Sequence, residues 1–167
     1  MIEINIPGRG NFNIENLVLD LNGTLALDGK IIEGVKERLR TLCRQLDTYL
    51  VTADTRGRAE ETLNDINADK ADRKGSFSIR LHRIGEGEED FQKLEFVQKL
   101  IPDKTMSIGN GSNDALMLKE SAIGICIVGK EGAAAEALMN ADLVIIDIND
   151  ALDLLLKPAR LMATLRK

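Results

Sequence analysis

Leu17-Val18-Leu19-Asp20-Leu21-Asn22-Gly23-Thr24 is the stretch that decides how the chain is read. Apolar residues run without alternation up to Leu21 and end in an Asn-Gly turn, the pattern of a strand buried on both faces of a parallel sheet. Such a strand needs covering elements above and below it, and the sequence on either side supplies them. Just downstream, Leu25-Ala26-Leu27-Asp28-Gly29-Lys30-Ile31-Ile32 places an Asp-Gly turn between apolar pairs and predicts a small hairpin, a flap over residues 25–32. Val35, Leu39, Leu42 and Leu46 recur at helical spacing and predict a helix over 33–47, and Thr48-Tyr49-Leu50-Val51-Thr52 predicts a second buried strand.

The alternation then continues to the end of the chain. Helices are predicted over 56–66, 89–100, 114–120 and 131–139, and strands over 77–84, 105–108, 122–128 and 143–147. A last helical stretch is interrupted at Pro158. Upstream, Ile2, Ile4 and Ile6 alternate before Pro7-Gly8 and predict a short edge strand, followed by a second around Phe12 and Ile14. Strict alternation of strand and helix predicts the α/β class with a doubly wound parallel sheet. A length of 167 residues suits one domain spanning 1–167.

Composition narrows the function. Apolar residues make up 44% and charged residues 29%, as in ordinary soluble globular chains, and the formal charge is −5. Lys and Arg are scattered rather than gathered into a stripe, so nucleic acid is not an expected partner. Cys43 and Cys126 lack metal or redox spacing and read as buried thiols, and His82, the one histidine, cannot build a zinc cluster and reads as a strand residue. No apolar run has the length of a membrane span, and the start of the chain lacks the pattern of a signal peptide; a cytoplasmic location with no membrane partner is the expectation. The polar run 67–75 reads as a solvated loop.

Ligands of open α/β sheets bind beyond the carboxyl ends of the strands, which directs attention to four places. Asp20-Leu21-Asn22-Gly23-Thr24 offers a strand-end carboxylate as a nucleophile and a glycine that lets backbone amides turn toward a phosphoryl oxygen; the same residues also suit a capping Asp before an Asn-Gly turn. Thr52-Ala53-Asp54 places a hydroxyl at a strand end before a helix, and also suits a plain helix cap. Lys93 can neutralise a phosphoryl oxygen, or sit on a helix surface. Gly109-Asn110-Gly111-Ser112-Asn113-Asp114 is a glycine-rich strand-to-helix turn with a carboxylate in reach of a metal, or a tight turn with its own cap.

In that order at successive strand ends, the four resemble the motifs of the haloacid dehalogenase superfamily, and within it the phosphorylation domain of P-type ATPases. Leu19-Asp20-Leu21-Asn22-Gly23-Thr24-Leu25 is similar to the nucleophile motif, Val51-Thr52-Ala53-Asp54 to the hydroxyl motif, Gln92-Lys93-Leu94 to the lysine motif, and Gly109 through Asp114 to the acidic motif. The resemblance covers roughly residues 15–150. It implies a Rossmann-like core with the flap and no cap domain, a small phosphorylated substrate, and Mg²⁺ as cofactor. It further implies that Asp20, Asn22, Thr52 and Lys93 act in catalysis and that Leu21, Gly23, Thr24, Ala53, Asp54 and Asn113 surround the substrate. Asp20, Asn22, Asn110 and Asp114 would hold the metal. Capless relatives such as the 3-deoxy-octulosonate 8-phosphate phosphatases close their sites by oligomerising, which implies a homo-oligomer.

Two positions depart from the superfamily pattern. Asn22 replaces the Asp that protonates the leaving group and activates water, and Asn110 replaces an Asp that binds the metal. An amide has no proton to give in this range and offers a neutral oxygen in place of a charged one. The resemblance therefore implies either a phosphatase or phosphotransferase working through an aspartyl-phosphate on Asp20, or a non-catalytic relic that binds phosphate or a partner on the same scaffold.

Overall fold

The computed structural model describes residues 1–53, 58–67 and 78–167, without the side chains of Arg58 and Asp65. In chain order these form β1 (Ile2–Ile6), β2 (Gly10–Ile14), β3 (Asn16–Asp20), β4 (Ala26–Leu27), β5 (Lys30–Ile31), α1 (Val35–Leu42), β6 (Asp47–Thr52), α2 (Arg58–Asn67) and β7 (Arg80–Arg83). They continue with α3 (Glu89–Lys99), β8 (Thr105–Gly109), α4 (Ala115–Glu120), β9 (Ile123–Ile127), α5 (Ala135–Asn140), β10 (Leu143–Ile145), α6 (Ile148–Leu156) and α7 (Pro158–Leu165).

Six strands form one parallel sheet in the order β10-β9-β8-β3-β6-β7. Every residue of β3 is buried, as its unbroken apolar pattern requires. From β3 the chain winds outward through β6 and β7, then returns to β8 on the other flank and winds outward again through β9 and β10. The strand order therefore reverses between β3 and β8, which opens a crevice at their carboxyl ends.

Two apolar layers cover the sheet. Leu17 and Leu19 face Val35, Leu39 and Leu42 of α1 and Ile148, Leu152 and Leu155 of α6 in the larger core. Val18 and Val51 point the other way, toward Phe96 and Val97 of α3 and Met117 of α4. This is the period-2 alternation of a strand read against helices on both faces. The Asp-Gly turn joins β4 to β5 with Asp28 and Gly29 both at positive φ, 52° and 76°, the geometry that matches strand twist in a two-residue hairpin. His82 lies in β7 and stacks on Phe96 with ring centroids 3.9 Å apart.

The structure corrects several boundaries. β1 and β2 pair with each other in a separate antiparallel sheet rather than extending the main one, and bury Ile2, Ile4 and Ile6 in the larger core. The helix expected over 33–47 spans only Val35–Leu42, because Gly34 at φ 87° cannot join it and the chain turns beyond Cys43 to deliver β6. The helix expected from 131 begins at Ala135: Gly132 adopts φ 79°, and the Ala134 amide is committed to the Asn110 carbonyl at 2.8 Å. The strand expected over 77–84 spans Arg80–Arg83; Phe77, like most of the polar run 67–75, lies outside the described residues.

Candidate active site

β3 carries Asp20 to the crevice where strand order reverses. Asp20 shares a face with Val18, two residues earlier, and Val18 packs against Val97 and Met117. Lys93 stands four residues before Val97, one turn nearer the start of α3. Asp114 stands three residues before Met117, at the start of α4. Each helix thus brings a side chain from near its N-terminal end over the strand end that Asp20 occupies. Lys93 Nζ donates to Asp20 Oδ1 at 2.8 Å and to Asp114 Oδ1 at 2.6 Å. Lys93 is 1% exposed, Asp114 0% and Asp20 7%, so water screens this trio very little.

Asp114 is held from its other side as well. Its Oδ2 accepts the backbone N–H groups of Asn110 and Gly111, each at 2.9 Å. Gly109 has to be a glycine, since a Cβ there would lie 2.4 Å from Asp114 Cγ.

One ammonium between two buried carboxylates leaves the cluster a positive charge short. Burial and the neighbouring Asp114 charge push the Asp20 carboxyl up to about 7, against the pull of Lys93 in the other direction. Burial works against the Lys93 ammonium, but the carboxylates of Asp20 and Asp114 outweigh it and hold the group above the usual lysine range.

The loop after Asp20 folds back on itself. Gly23, at φ 76°, donates to the Ala26 carbonyl at 2.8 Å, and the amides of Leu25 and Ala26 both donate to the Leu21 carbonyl at 2.9 Å. These three amides close the turn rather than facing a phosphoryl group. Leu21 belongs to the core, which removes its side chain from any ligand, whereas Asn22 is exposed. Thr24 is fully buried, and its hydroxyl donates to Asn110 Oδ1 at 3.2 Å.

Val51 pairs with Asp20, so Thr52, the next residue of β6 and 3% exposed, stands at the neighbouring strand end. Ala53 packs on the second core, and Asp54 lies outside the described residues. Asn113 donates to Glu89 Oε2 at 2.7 Å, tying the fourth motif to the start of α3. The structure thus brings Asp20, Lys93 and Asp114 into direct contact and sets Thr52 beside them.

Asn110 has another employment. Its amide Nδ2 donates to the Gly132 carbonyl at 3.2 Å while its Oδ1 accepts from Thr24, so both polar ends of the side chain are bonded to neighbouring loops. Gly132 closes a turn with Gly129, at whose exposed tip stand Lys130 and Glu131. This turn is the part of the site that the motif reading passed over. A Lys-Glu pair between two glycines directly after a buried strand was the available signal, because β9 is also a strand of the same sheet. Below the hairpin, an apolar cavity of about 670 Å³ opens beside Gly23 and Thr24, lined also by Leu27, Ile31, Val128 and Lys130.

The donor set fits a magnesium-type ion. Among the described residues no three His, Cys, Asp or Glu side chains gather as a ready-made ligand group, as a structural zinc site would require. Magnesium asks for less, one or two carboxylates with water and substrate oxygens completing the shell. A strand-end carboxylate in a cluster short of one positive charge meets that demand.

No model of a known protein family matches the chain. The uncharacterized protein MJ0073 of Methanocaldococcus jannaschii is 44% identical over 92 residues, which cover 53% of this chain and 99% of that protein. The chloroplastic copper-transporting ATPase PAA1 of Arabidopsis thaliana is 26% identical over 119 residues, 70% of this chain and 11% of the ATPase. Among solved structures, 3-deoxy-D-manno-octulosonate 8-phosphate phosphatase from Moraxella catarrhalis, in complex with magnesium ion, phosphate ion and a KDO molecule, has the same fold. Its TM-score is 0.61 at 14% identity, over 92% of this chain and 94% of that one. No helix among the described residues is long and apolar enough to cross a membrane.

Proposed function

We propose that this chain, which belongs to the family of the uncharacterized protein MJ0073 and has the fold of the haloacid dehalogenase superfamily, hydrolyses or transfers phosphoryl groups through Asp20. The observation that carries the reading is the buried Lys93 ammonium bonded at once to Asp20 and Asp114 at the topological switch point. Fold alone does not fix function, whereas a strand-end carboxylate oriented by a buried cation is a site built for a particular chemistry.

In the first step an Asp20 oxygen bonds to phosphorus as the bond to the leaving oxygen breaks, its electron pair departing with that group. In the second, a water oxygen bonds to phosphorus as the Asp20–phosphorus linkage breaks, its electron pair returning to Asp20 as a carboxylate and the water proton leaving with the phosphate or to solvent. Lys93 orients Asp20, and Asp114, fixed by two backbone amides, orients Lys93. The Thr52 hydroxyl stands at the adjacent strand end to donate to a phosphoryl oxygen. Asp20 and the Asn22 main-chain carbonyl would hold Mg²⁺, which supplies positive charge between an anionic nucleophile and an anionic substrate.

Asn22 has no proton to give, and the missing acid–base help typically costs about 10²–10⁴-fold. Leaving groups that depart as stable anions, acyl and aryl phosphates, are therefore the substrates, and the apolar cavity beside Gly23 and Thr24 receives the leaving group. Release of p-nitrophenol or acetate from the corresponding phosphates at saturating Mg²⁺ should fall to background in Asp20→Ala. Equal release by both proteins would refute the reading.

The bonding of both polar ends of Asn110 to neighbouring loops favours a second reading, a scaffold that binds phosphate or a partner without turnover. Saturable phosphate binding with no hydrolysis, and hydrolysis appearing in Asn22→Asp, would select it.

A further inference from the structure

The acidic motif has lost a metal-directed charge at Asn110, and the remaining motif carboxylate does not replace it. Asp114 spends Oδ1 on Lys93 and Oδ2 on two backbone amides. A carboxylate outside the motifs that reaches the nucleophile loop is that of Glu131. A side chain at position 23 would set its first carbon 2.5 Å from Asn110 Nδ2 and 2.8 Å from Glu131 Oε2, so the Glu131 carboxylate lies against Gly23 of the nucleophile loop. The turn bearing it is pinned there. Gly129 sits close enough that a Cβ would be 3.4 Å from the Gly23 carbonyl, the Gly132 carbonyl accepts from the Asn110 side chain at 3.2 Å, and the Ala134 amide donates to the Asn110 carbonyl at 2.8 Å.

Asn and Asp differ here in a way that matters. An ionised Asp accepts hydrogen bonds only, and cannot make the bond to Gly132. Asn110 thus gives up a ligand charge and gains a donor, and what the donor holds in place is the turn that carries a charge of the same sign.

We infer that Glu131 is the second carboxylate ligand of the divalent cation, positioned by Asn110 and standing in for the acid absent at that residue; the inference rests on the phosphoryl-transfer reading of Asp20. Glu131 is exposed at the tip of a turn, so Glu131→Gln alters charge without disturbing the core. The assignment also gives a site with an amide at position 110 a two-carboxylate set, within the one or two carboxylates by which magnesium is ordinarily held.

Calorimetric titration of the full chain with MgCl₂ tests this without recourse to turnover. The wild-type chain should bind one ion, and Glu131→Gln should weaken binding by about tenfold or more, at least the loss that follows removal of an outer-shell partner. Glu136→Gln, an exposed acid on α5, should leave the affinity unchanged. Asn110→Asp placed in the Glu131→Gln background should recover most of the loss. Wild-type affinity in Glu131→Gln, an equal loss in Glu136→Gln, no recovery in the double variant, or a wild-type chain that binds no ion would each overturn the assignment. Asp20-dependent hydrolysis by a wild-type chain whose Glu131→Gln variant binds normally would sink this inference alone. Hydrolysis indifferent to Asp20 would sink the phosphoryl-transfer reading, whatever the titration shows.

Discussion

Two charge trios in this molecule share a geometry and differ in everything that follows from it. At the sheet end, Lys93 sits between Asp20 and Asp114 at 2.8 and 2.6 Å. Where α1 meets α6, Asp153 sits between Arg38 and Lys157 at 2.7 and 2.9 Å. The first is sealed, with side chains 0–10% exposed, whereas the Arg38 and Lys157 side chains are 30% and 52% exposed. Water screens the surface trio, so its surplus positive charge is harmless. Hydrogen bonds from Lys157 and then Arg38 simply draw the Asp153 carboxyl below its ordinary range. Burial denies the inner trio that relief, and its surplus negative charge appears instead as a raised Asp20 carboxyl. The same ion-pair geometry is a modest brace in one place and a store of unscreened charge in the other.

The contrast breaks first at Lys93. Lys93→Ala leaves two carboxylates buried without a cation, and denaturant unfolding should show a loss of about 3–5 kcal/mol. A loss under about 1 kcal/mol would put the inner trio in the same class as the outer one.

The pH dependence sharpens it. Folded Asp20 keeps its proton up to about 7, whereas in the unfolded chain it loses it near 3.8, the ordinary value for an aspartate. Between those values the folded state binds more protons, so metal-free wild-type protein loses stability as pH rises through that window. Asp20→Asn should therefore melt above wild type at pH 8, with the gap closing as the pH is lowered through the window. Melting curves that remain parallel across this range would contradict the raised carboxyl.

Crowding supplies a third probe. Gly23→Ala forces a left-handed φ on a residue with a Cβ and drives that carbon into Asn110 and Glu131, and should cost about 1–2 kcal/mol in thermal unfolding. The smallest effect belongs to the outer trio. Asp153→Asn should cost under about 1 kcal/mol, and with the opposite pH sense. Folded Asp153 titrates below its unfolded value, so its contribution is present above about pH 4 and fades as the pH falls further. A larger loss in Asp153→Asn than in Lys93→Ala would invert the comparison.

Much of this was legible in the sequence because it rests on local patterns. The unbroken apolar run before Asp20, the Asp28-Gly29 turn and the helical spacing of Val35, Leu39 and Leu42 each reflect burial or backbone geometry that a few neighbouring residues decide. Lys93 was legible only through motif order; its burial depends on Val97 of α3 packing over Val18, a contact between residues 79 apart in the chain. Gly132 ended the reach of the apolar pattern that suggested a helix from 131, since a left-handed residue overrides periodicity. Glu131 stayed hidden for a related reason. Its place over Gly23 is set by the Asn110 side chain bonding a carbonyl 22 residues away, which no local spacing encodes.

The account stands on Asp20 as the atom donor to phosphorus. The most direct measurement is acid quenching of the chain incubated with acetyl phosphate and Mg²⁺, followed by peptide mass mapping. A phosphoryl-sized mass increase confined to the peptide containing Asp20, removed by hydroxylamine and absent in Asp20→Asn, is the predicted result. Turnover of acetyl phosphate with no acid-stable phosphoryl adduct on that peptide, or with the adduct on another residue, would contradict it.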